Sequence, residues 1–100
     1  MTRADRRRIL VCYDVTDDRR RNRLAKKLRS FGDRVQYSVF VVDGTPVALN
    51  RMRRAVEDVA DLKQDSVLFC DLGSLATVEA TRFVYLGRQK SITGLDSFIL

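Results

Sequence analysis

The chain has 100 residues, a length that supports one hydrophobic core and therefore a single domain over residues 1–100. Hydrophobic residues make up 45% of it, which is ordinary for a globular protein, and its apolar runs are too short to cross a membrane. It contains no histidine, which excludes catalytic triads and most zinc enzymes. Any catalysis must use carboxylates, arginine, lysine, hydroxyl groups or a hard metal ion.

The net charge of +6 is concentrated near the start of the chain. Residues 1–34 hold twelve lysines or arginines against five aspartates, while the remaining residues carry a net charge of −1. Most of these cations are arginines, whose planar guanidinium groups suit phosphate. The pattern favours a polyanionic partner such as nucleic acid over the alternative of an ordinary solvated helix face.

The start of the chain has no signal peptide pattern, so we expect a cytoplasmic protein with no membrane partner. Cys12 and Cys70 each lie within an apolar run. In a reducing compartment such cysteines usually pack as small hydrophobic residues, and we expect both to be buried.

The first third of the chain predicts a buried strand and an amphipathic helix. Arg8–Val15 is rich in branched apolar residues and is typical of a buried strand. Asp17 and Asp18 are typical helix caps, and the helix they begin extends to about Phe31, with Gly32 as its C′ residue. Its apolar face consists of Leu24, Leu28 and Phe31.

The middle of the chain repeats this order. Arg34–Val42 predicts a second strand, and Asp43 and Gly44 predict a turn. Thr45 followed by Pro46 indicates the N-terminus of a second helix, which extends to about residue 61. The inner face of this helix is formed by Leu49, Met52, Val56 and Val59.

The last third predicts two further strands, Ser66–Leu72 and Arg82–Leu86, separated by a segment of ambiguous pattern at 74–81. The order strand, helix, strand, helix, strand, strand indicates an α/β protein with an open sheet and both helices on one face. The segment 88–100 ends in apolar residues that could pack against the chain's own sheet or against a partner subunit, and the partner is the favoured alternative.

Asp14 is the clearest candidate for chemistry. It lies at the carboxyl end of the first predicted strand, where α/β sheets commonly place functional groups. An oxygen ligand here could bind Mg²⁺, which takes one or two carboxylates and retains waters. The alternative is a structural aspartate that bonds nearby backbone. In a dimer whose axis passes nearby, two copies of Asp14 would face one ion.

The arginines near Asp14 are candidates for phosphate contacts. Arg21 and Arg23, which belong to the same motif as Asp14, are chosen for the phosphate contacts. The wider set expected to bind nucleic acid is Arg6, Arg7, Arg8, Arg19, Arg20, Arg21, Arg23 and Lys27. Tyr13, Tyr37 and Phe40 are expected in the core rather than as platforms for bases.

Two motifs at a fixed separation give the chain a family resemblance. Tyr13–Asp18 with Arg21–Arg23, followed by Arg34–Phe40, resembles the signature of the CRISPR-associated Cas-two family. The entry to the third strand, Asp65–Val67, and the total length are also similar.

The resemblance implies a ferredoxin-like βαββαβ fold with an extra C-terminal strand, assembled as a homodimer. Such a fold requires two strands between the helices, so a break near Gln36–Ser38 is expected. The family is described as metal-dependent nucleases on RNA or DNA that use Mg²⁺ or another divalent cation, and as partners of the CRISPR integrase. The matching catalytic residues are Asp14, which would also bind the metal, Tyr13, Arg21, Arg23, Arg34 and Phe40.

Two other functions stay open. One is a non-catalytic DNA scaffold that bridges integrase subunits. The other is a toxin-like ribonuclease of related fold, since one fold serves several functions. The sequence contains no phosphate-binding glycine loop, and no cofactor-binding residues other than the metal ligand are predicted.

Overall fold

The computed structural model describes residues 5–78 and 83–88. These residues form a sheet and two helices in the predicted order. The elements are β1 (Arg7–Asp14), α1 (Asp18–Arg29), β2 (Asp33–Gln36), β3 (Val39–Gly44), α2 (Pro46–Val59) and β4 (Ser66–Ser74). In the described part of the chain, no helix is both long and apolar enough to cross a membrane.

The sheet has the strand order β2-β3-β1-β4, and every pair of neighbours is antiparallel. Each helix connects two parallel strands that have another strand between them. This arrangement of two interleaved βαβ units is the ferredoxin-like fold, which confirms the predicted fold class. The central strand, β1, pairs with β3 and β4 along most of its length and ends at Asp14.

The main core lies between the sheet and the helices. Alternation along β1 directs Val11 and Tyr13 toward the helices and Leu10 toward the opposite face. The helices contribute the predicted apolar positions to this core, with Val59 and Phe31 at its margin. Its buried members include Val11, Tyr13, Leu24, Leu28, Phe40, Leu49, Met52 and Val56.

The predicted strand at 34–42 is two strands. The chain turns at Tyr37 and Ser38, so the break expected near Gln36–Ser38 is confirmed. The Arg34 guanidinium donates two hydrogen bonds, of 3.1 and 2.6 Å, to the carbonyl oxygen of Tyr37. The turn of this hairpin lies at the same end of the sheet as Asp14, since the Tyr13 amide donates a hydrogen bond of 3.1 Å to the Ser38 carbonyl oxygen.

Gly32 has a different role from the one predicted. Helix α1 ends at Arg29 with Ser30 as its C-cap, and Gly32 does not adopt a positive φ. A Cβ atom at Gly32 would lie 2.2 Å from the carbonyl oxygen of Val41. Glycine is therefore required by the close approach of the chain to β3, not by a left-handed cap.

The end of the chain departs from the prediction. Residues 83–88 form no strand, so the described part of Arg82–Leu86 does not add to the sheet. Phe83 and Tyr85 instead pack beside Val35 and Val41 on the face opposite the helices. The expected packing of the C-terminal segment on a partner concerns residues that, apart from Arg88, lie outside those described.

The cysteines are more accessible than predicted. Cys12 is partly buried and Cys70 is exposed, and both are free thiols. In the pairing of β1 with β4, Cys12 lies opposite Leu68 and Leu10 lies opposite Cys70. These positions lie on the sheet face away from the helices, which is only partly covered.

Candidate functional site

Asp14 occupies the open end of the central strand. Its pairing partner in β4 is Ser66, the first residue of that strand. The side chain is exposed, and among the described residues it forms no hydrogen bond or ion pair. The structure therefore does not show the backbone-bonding role considered as the alternative, and the carboxylate is accessible to a cation.

Three predicted site residues meet at the turn between β2 and β3. Tyr13 donates its hydroxyl to the carbonyl oxygen of Tyr37 at 3.4 Å, and Arg34 donates to the same oxygen. Arg21 reaches the turn from α1 and donates from Nε to the Tyr37 hydroxyl at 3.2 Å. One residue, Tyr37, thus connects β1, α1 and the hairpin next to Asp14.

Aromatic rings lie below and between these arginines. Tyr13 and Phe40 stack with ring centroids 6.3 Å apart, and both are buried as predicted. The Arg34 guanidinium carbon lies 5.7 Å from the centroid of Phe40 and 5.3 Å from that of Tyr37. Burial raises the pKa of the Tyr13 hydroxyl, an effect that the positive charge of Arg34 opposes, so Tyr13 is a neutral hydrogen-bond donor.

Arg21 is fixed by several partners at the start of α1. Nη1 donates to the carbonyl oxygen of Val15 at 2.9 Å, and Nη2 is paired with Asp18. Because Val15 follows Asp14 directly, these contacts hold the guanidinium beside the strand end. Asp17 has the predicted role of N-cap, since its carboxylate accepts a bond of 2.8 Å from the amide of Arg20.

Arg20 has a structural partner. It donates to both carboxylate oxygens of Asp65 at 2.6 and 2.9 Å, and the Asp65 side chain is fully buried. The bond from Arg20, together with one from the Asp61 amide, lowers the pKa of Asp65. The ion pair fastens α1 to the residue preceding Ser66 and so supports the strand end that carries Asp14. The expectation that Arg20 binds nucleic acid does not agree with this pairing.

The N-terminal arginines also differ from the prediction. The Arg8 side chain has 0% exposure and forms a bidentate ion pair with Asp43, so Arg8 cannot contact nucleic acid in this fold. Because side chains alternate along β1, Arg8 points to the sheet face opposite the helices. There its guanidinium carbon lies 5.9 Å from the centroid of the Phe83 ring. Arg7 is partly exposed and paired with Asp71 at 2.8 Å, whereas Arg6 is exposed.

The remaining predicted nucleic-acid contacts of α1 are cations exposed to solvent. Arg19, Arg23 and Lys27 are exposed, and within the described ranges they have no ion-pair partner. A groove of about 540 Å³ between the helices is lined by Arg23, Lys26, Lys27, Ser30, Asp58 and Val59. Arg23 is two residues from Arg21 and therefore points to a different side of the helix. The structure thus does not bring Arg23 together with the other predicted catalytic residues.

Tyr37 is the site residue that sequence reasoning missed. It was expected in the core, but the structure leaves it 66% exposed. The error has a local cause, since residues 34–42 were interpreted as one strand with two apolar faces. The break expected near Gln36–Ser38 places Tyr37 in a turn, which the expectation of a core residue did not take into account.

The described residues provide one candidate carboxylate ligand for a Mg²⁺ ion. In ranges 5–78 and 83–88, no three His, Cys, Asp or Glu side chains form a group suited to hold a metal. Mg²⁺ needs only one or two carboxylates because it keeps several waters. The accessible Asp14 carboxylate fits as one such ligand.

Solved structures with the same fold cover most of the chain. A hypothetical protein from Thermus thermophilus matches with a TM-score of 0.72 and 34% identity over 87% of this chain and 98% of that one. Cas2 from Streptococcus pyogenes matches with a TM-score of 0.71 and 32% identity over 80% of this chain and 99% of that one.

Curated relatives match over a shorter part of the chain. A protein of Rhodospirillum rubrum named CRISPR-associated endoribonuclease Cas2 4 is 42% identical over 60% of this chain and 48% of its own length. The CRISPR-associated endoribonuclease Cas2 3 of Synechocystis is 35% identical over 63% of this chain and 68% of its own. The CRISPR-associated endonuclease Cas2 2 of Thermus thermophilus is 44% identical over 57% of this chain and 63% of its own.

The match thus spans between about half and two thirds of these curated relatives. The family model described as CRISPR associated protein Cas2 matches residues 7–77, which include every element from β1 to β4. The chain therefore belongs to the CRISPR-associated Cas2 family.

Proposed function

We propose that this protein is a Mg²⁺-dependent endonuclease that hydrolyses phosphodiester bonds, with Asp14 as its metal ligand. The observation that carries the proposal is the Asp14 carboxylate, which is exposed and has no partner among the described residues. It lies at the strand end next to the bonded group of Tyr13, Arg21 and Arg34. Relatives named as endoribonucleases and an endonuclease support it. The substrate is single-stranded RNA or duplex DNA.

Each residue of the site has a function in such a reaction. A bound Mg²⁺ would neutralise phosphate charge and lower the pKa of a bound water. Arg34 and Arg21 bind and orient the phosphate. Arg21 can exchange its pairing with Asp18 for phosphate because the Asp18 side chain is 81% exposed, unlike the fully buried Asp65 that holds Arg20. Tyr13 is positioned as a neutral donor, and Phe40 supports the ring of Tyr13 and the guanidinium of Arg34 from below.

The functional unit is proposed to be a homodimer. The sheet face away from the helices is partly open, with Leu68 60% exposed and Cys70 also accessible. A 100-residue domain has little core, so pairing this face with a second copy would bury further apolar surface. A dimer would also provide a second Asp14 for the metal, as considered from the sequence.

A second candidate function is a DNA-holding scaffold that bridges subunits of the CRISPR integrase. The groove lined by Arg23, Lys26 and Lys27 favours it, because these cations are exposed and cluster between the helices. Removing residues 95–100 would then abolish association with the integrase, and an unchanged complex would count against this function. The cytoplasm remains the expected compartment for either function.

The decisive experiment compares Asp14→Asn with the wild-type protein on single-stranded RNA and on duplex DNA, with Mg²⁺ or with EDTA. Glu57→Gln is the matched control, since it removes one exposed carboxylate from α2. We expect cleavage by the wild type and by Glu57→Gln in Mg²⁺, and none by Asp14→Asn or in EDTA. Tight duplex binding without any wild-type cleavage would favour the scaffold instead.

A further inference from the structure

The backbone of Tyr37 is fixed by hydrogen bonds, whereas its side chain is exposed to solvent. Its carbonyl oxygen accepts bonds from Arg34 and Tyr13, which fix the turn, yet 66% of the residue is exposed. Packing does not account for a tyrosine in this position, because the stacked rings of Tyr13 and Phe40 fill the core below it. A single exposed aromatic residue needs no explanation by itself, but one on a turn fixed by three hydrogen bonds and beside two arginines has the composition of a base-stacking site.

The surroundings of Tyr37 match one class of ligand. The guanidinium carbons of Arg34 and Arg21 lie over parts of its ring, 5.3 and 5.9 Å from the centroid, and leave the residue 66% exposed to a ligand. The turn is also bonded to β1 one residue before Asp14, through the Tyr13 amide and the Ser38 carbonyl. An aromatic face flanked by cations binds nucleic acid by stacking one base on the ring while the cations contact the neighbouring phosphates.

Stacking on Tyr37 would require a base with a free face. In a duplex, each base is covered on both faces by its neighbours, whereas an unpaired base can be placed against a side chain. We propose that Tyr37 is the platform for an unpaired base of a single-stranded segment that enters the Asp14 site. This inference rests on the proposed function, in that it takes nucleic acid as the substrate.

The alternative is that Tyr37 only positions Arg21 through its hydroxyl. Two variants separate these roles. Tyr37→Phe keeps the ring and removes the hydroxyl that accepts from Arg21, whereas Tyr37→Leu removes the aromatic face as well. A stacking platform requires the ring, so Tyr37→Phe should bind a single strand as the wild type does.

The first measurement is the affinity for a single-stranded oligonucleotide and for a duplex of equal phosphate number, in EDTA to prevent cleavage. Loss of base stacking weakens binding by about 5- to 100-fold per base, which is the effect expected for Tyr37→Leu on the single strand. Duplex affinity should stay within about two-fold of the wild-type value, because the phosphate contacts are unchanged. Equal single-strand affinity of Tyr37→Leu and wild type would overturn the inference.

The second measurement uses the absence of tryptophan from the chain. Tyr37→Trp restores an aromatic face and introduces a single indole, whose fluorescence a stacked base quenches. Val47→Trp is the matched control, because Val47 is 62% exposed and lies far from the Tyr37 turn. It comes three residues after Gly44, and Gly44 pairs with Arg7 at the opposite end of β1 from Asp14. We expect the single strand to quench Tyr37→Trp strongly and Val47→Trp weakly.

The outcomes also separate this inference from the proposed function. Equal quenching of Tyr37→Trp by single strand and duplex would refute the platform while leaving nuclease activity intact. Cleavage retained by Asp14→Asn would refute the metal role while leaving the platform intact. A wild-type protein that binds neither nucleic acid would overturn both.

Discussion

Replacing Asp43 with asparagine removes the counter-charge of a buried guanidinium. Arg8 has a fully buried side chain, whereas that of Asp43 is 17% exposed, and two bonds of 2.6 Å join them. Within the part of the chain that the structure describes, Nη1 of Arg8 has no hydrogen-bond partner. The Phe83 ring over which the Arg8 guanidinium lies carries no negative charge to replace that of Asp43. Asp43→Asn should therefore strongly destabilise the fold.

The size of the effect follows from charge separation and burial. Two unit charges about 4 Å apart attract each other by about 4 kcal/mol at an effective dielectric constant of about 20. Removing one partner of a buried ion pair costs about 3–5 kcal/mol, because the other charge stays desolvated. For a domain of this size we expect Tm to fall by roughly 12 °C or more.

Urea unfolding followed by far-ultraviolet circular dichroism, at one fixed protein concentration, measures this loss. Asp71→Asn is the matched control, because its ion pair with Arg7 is exposed and should contribute far less. Arg8→Met should cost less than Asp43→Asn, since the partly exposed Asp43 can be hydrated after its partner is removed. The reasoning is refuted if Asp43→Asn loses less than about 1 kcal/mol or no more than Asp71→Asn.

Two further predictions concern the supports of the site. Gly32→Ala places a Cβ atom 2.2 Å from the Val41 carbonyl oxygen, so we expect the free energy of unfolding measured in urea to fall by about 1–3 kcal/mol. The control, Gly44→Ala, should lose less stability because its nearest contact would be at 3.2 Å. Equal losses for the two variants would contradict this prediction. Because the Arg20 bond lowers the folded-state pKa of Asp65, the pair stabilises the fold fully above the usual carboxyl range near pH 4, and the contribution disappears as pH falls through the lowered pKa. The Tm difference between wild type and Asp65→Asn should therefore narrow below about pH 4, and a difference that is constant from pH 7 to pH 2 would count against the ion pair.

Much of the fold was predictable because its signals are local. Thr45 and Pro46 fixed the start of α2, and its apolar positions fall on the core face as predicted. The boundary between β2 and β3 is not visible in residue periodicity, since both faces of 34–42 are apolar. It followed instead from the strand number that the family resemblance required.

The candidate site was predictable only in part because its details depend on residues distant in sequence. Arg21 reaches the residue that follows Asp14, since it donates to the Val15 carbonyl oxygen. Arg8 and Arg20, by contrast, were indistinguishable from the exposed arginines until Asp43 and Asp65 were placed beside them by strand pairing and by the α2–β4 connection. A basic residue in the sequence does not reveal whether its charge is already used within the fold.

The most direct test of the central claim is the single-turnover cleavage rate of Asp14→Asn at saturating nucleic acid and saturating Mg²⁺. Saturation separates the chemical step from binding. Since Asp14 is exposed and unpartnered in the described part of the chain, the variant should fold and bind as the wild type does. We predict a loss of cleavage by at least about 100-fold with unchanged affinity. Cleavage at the wild-type rate would contradict the assignment of Asp14 as the metal ligand.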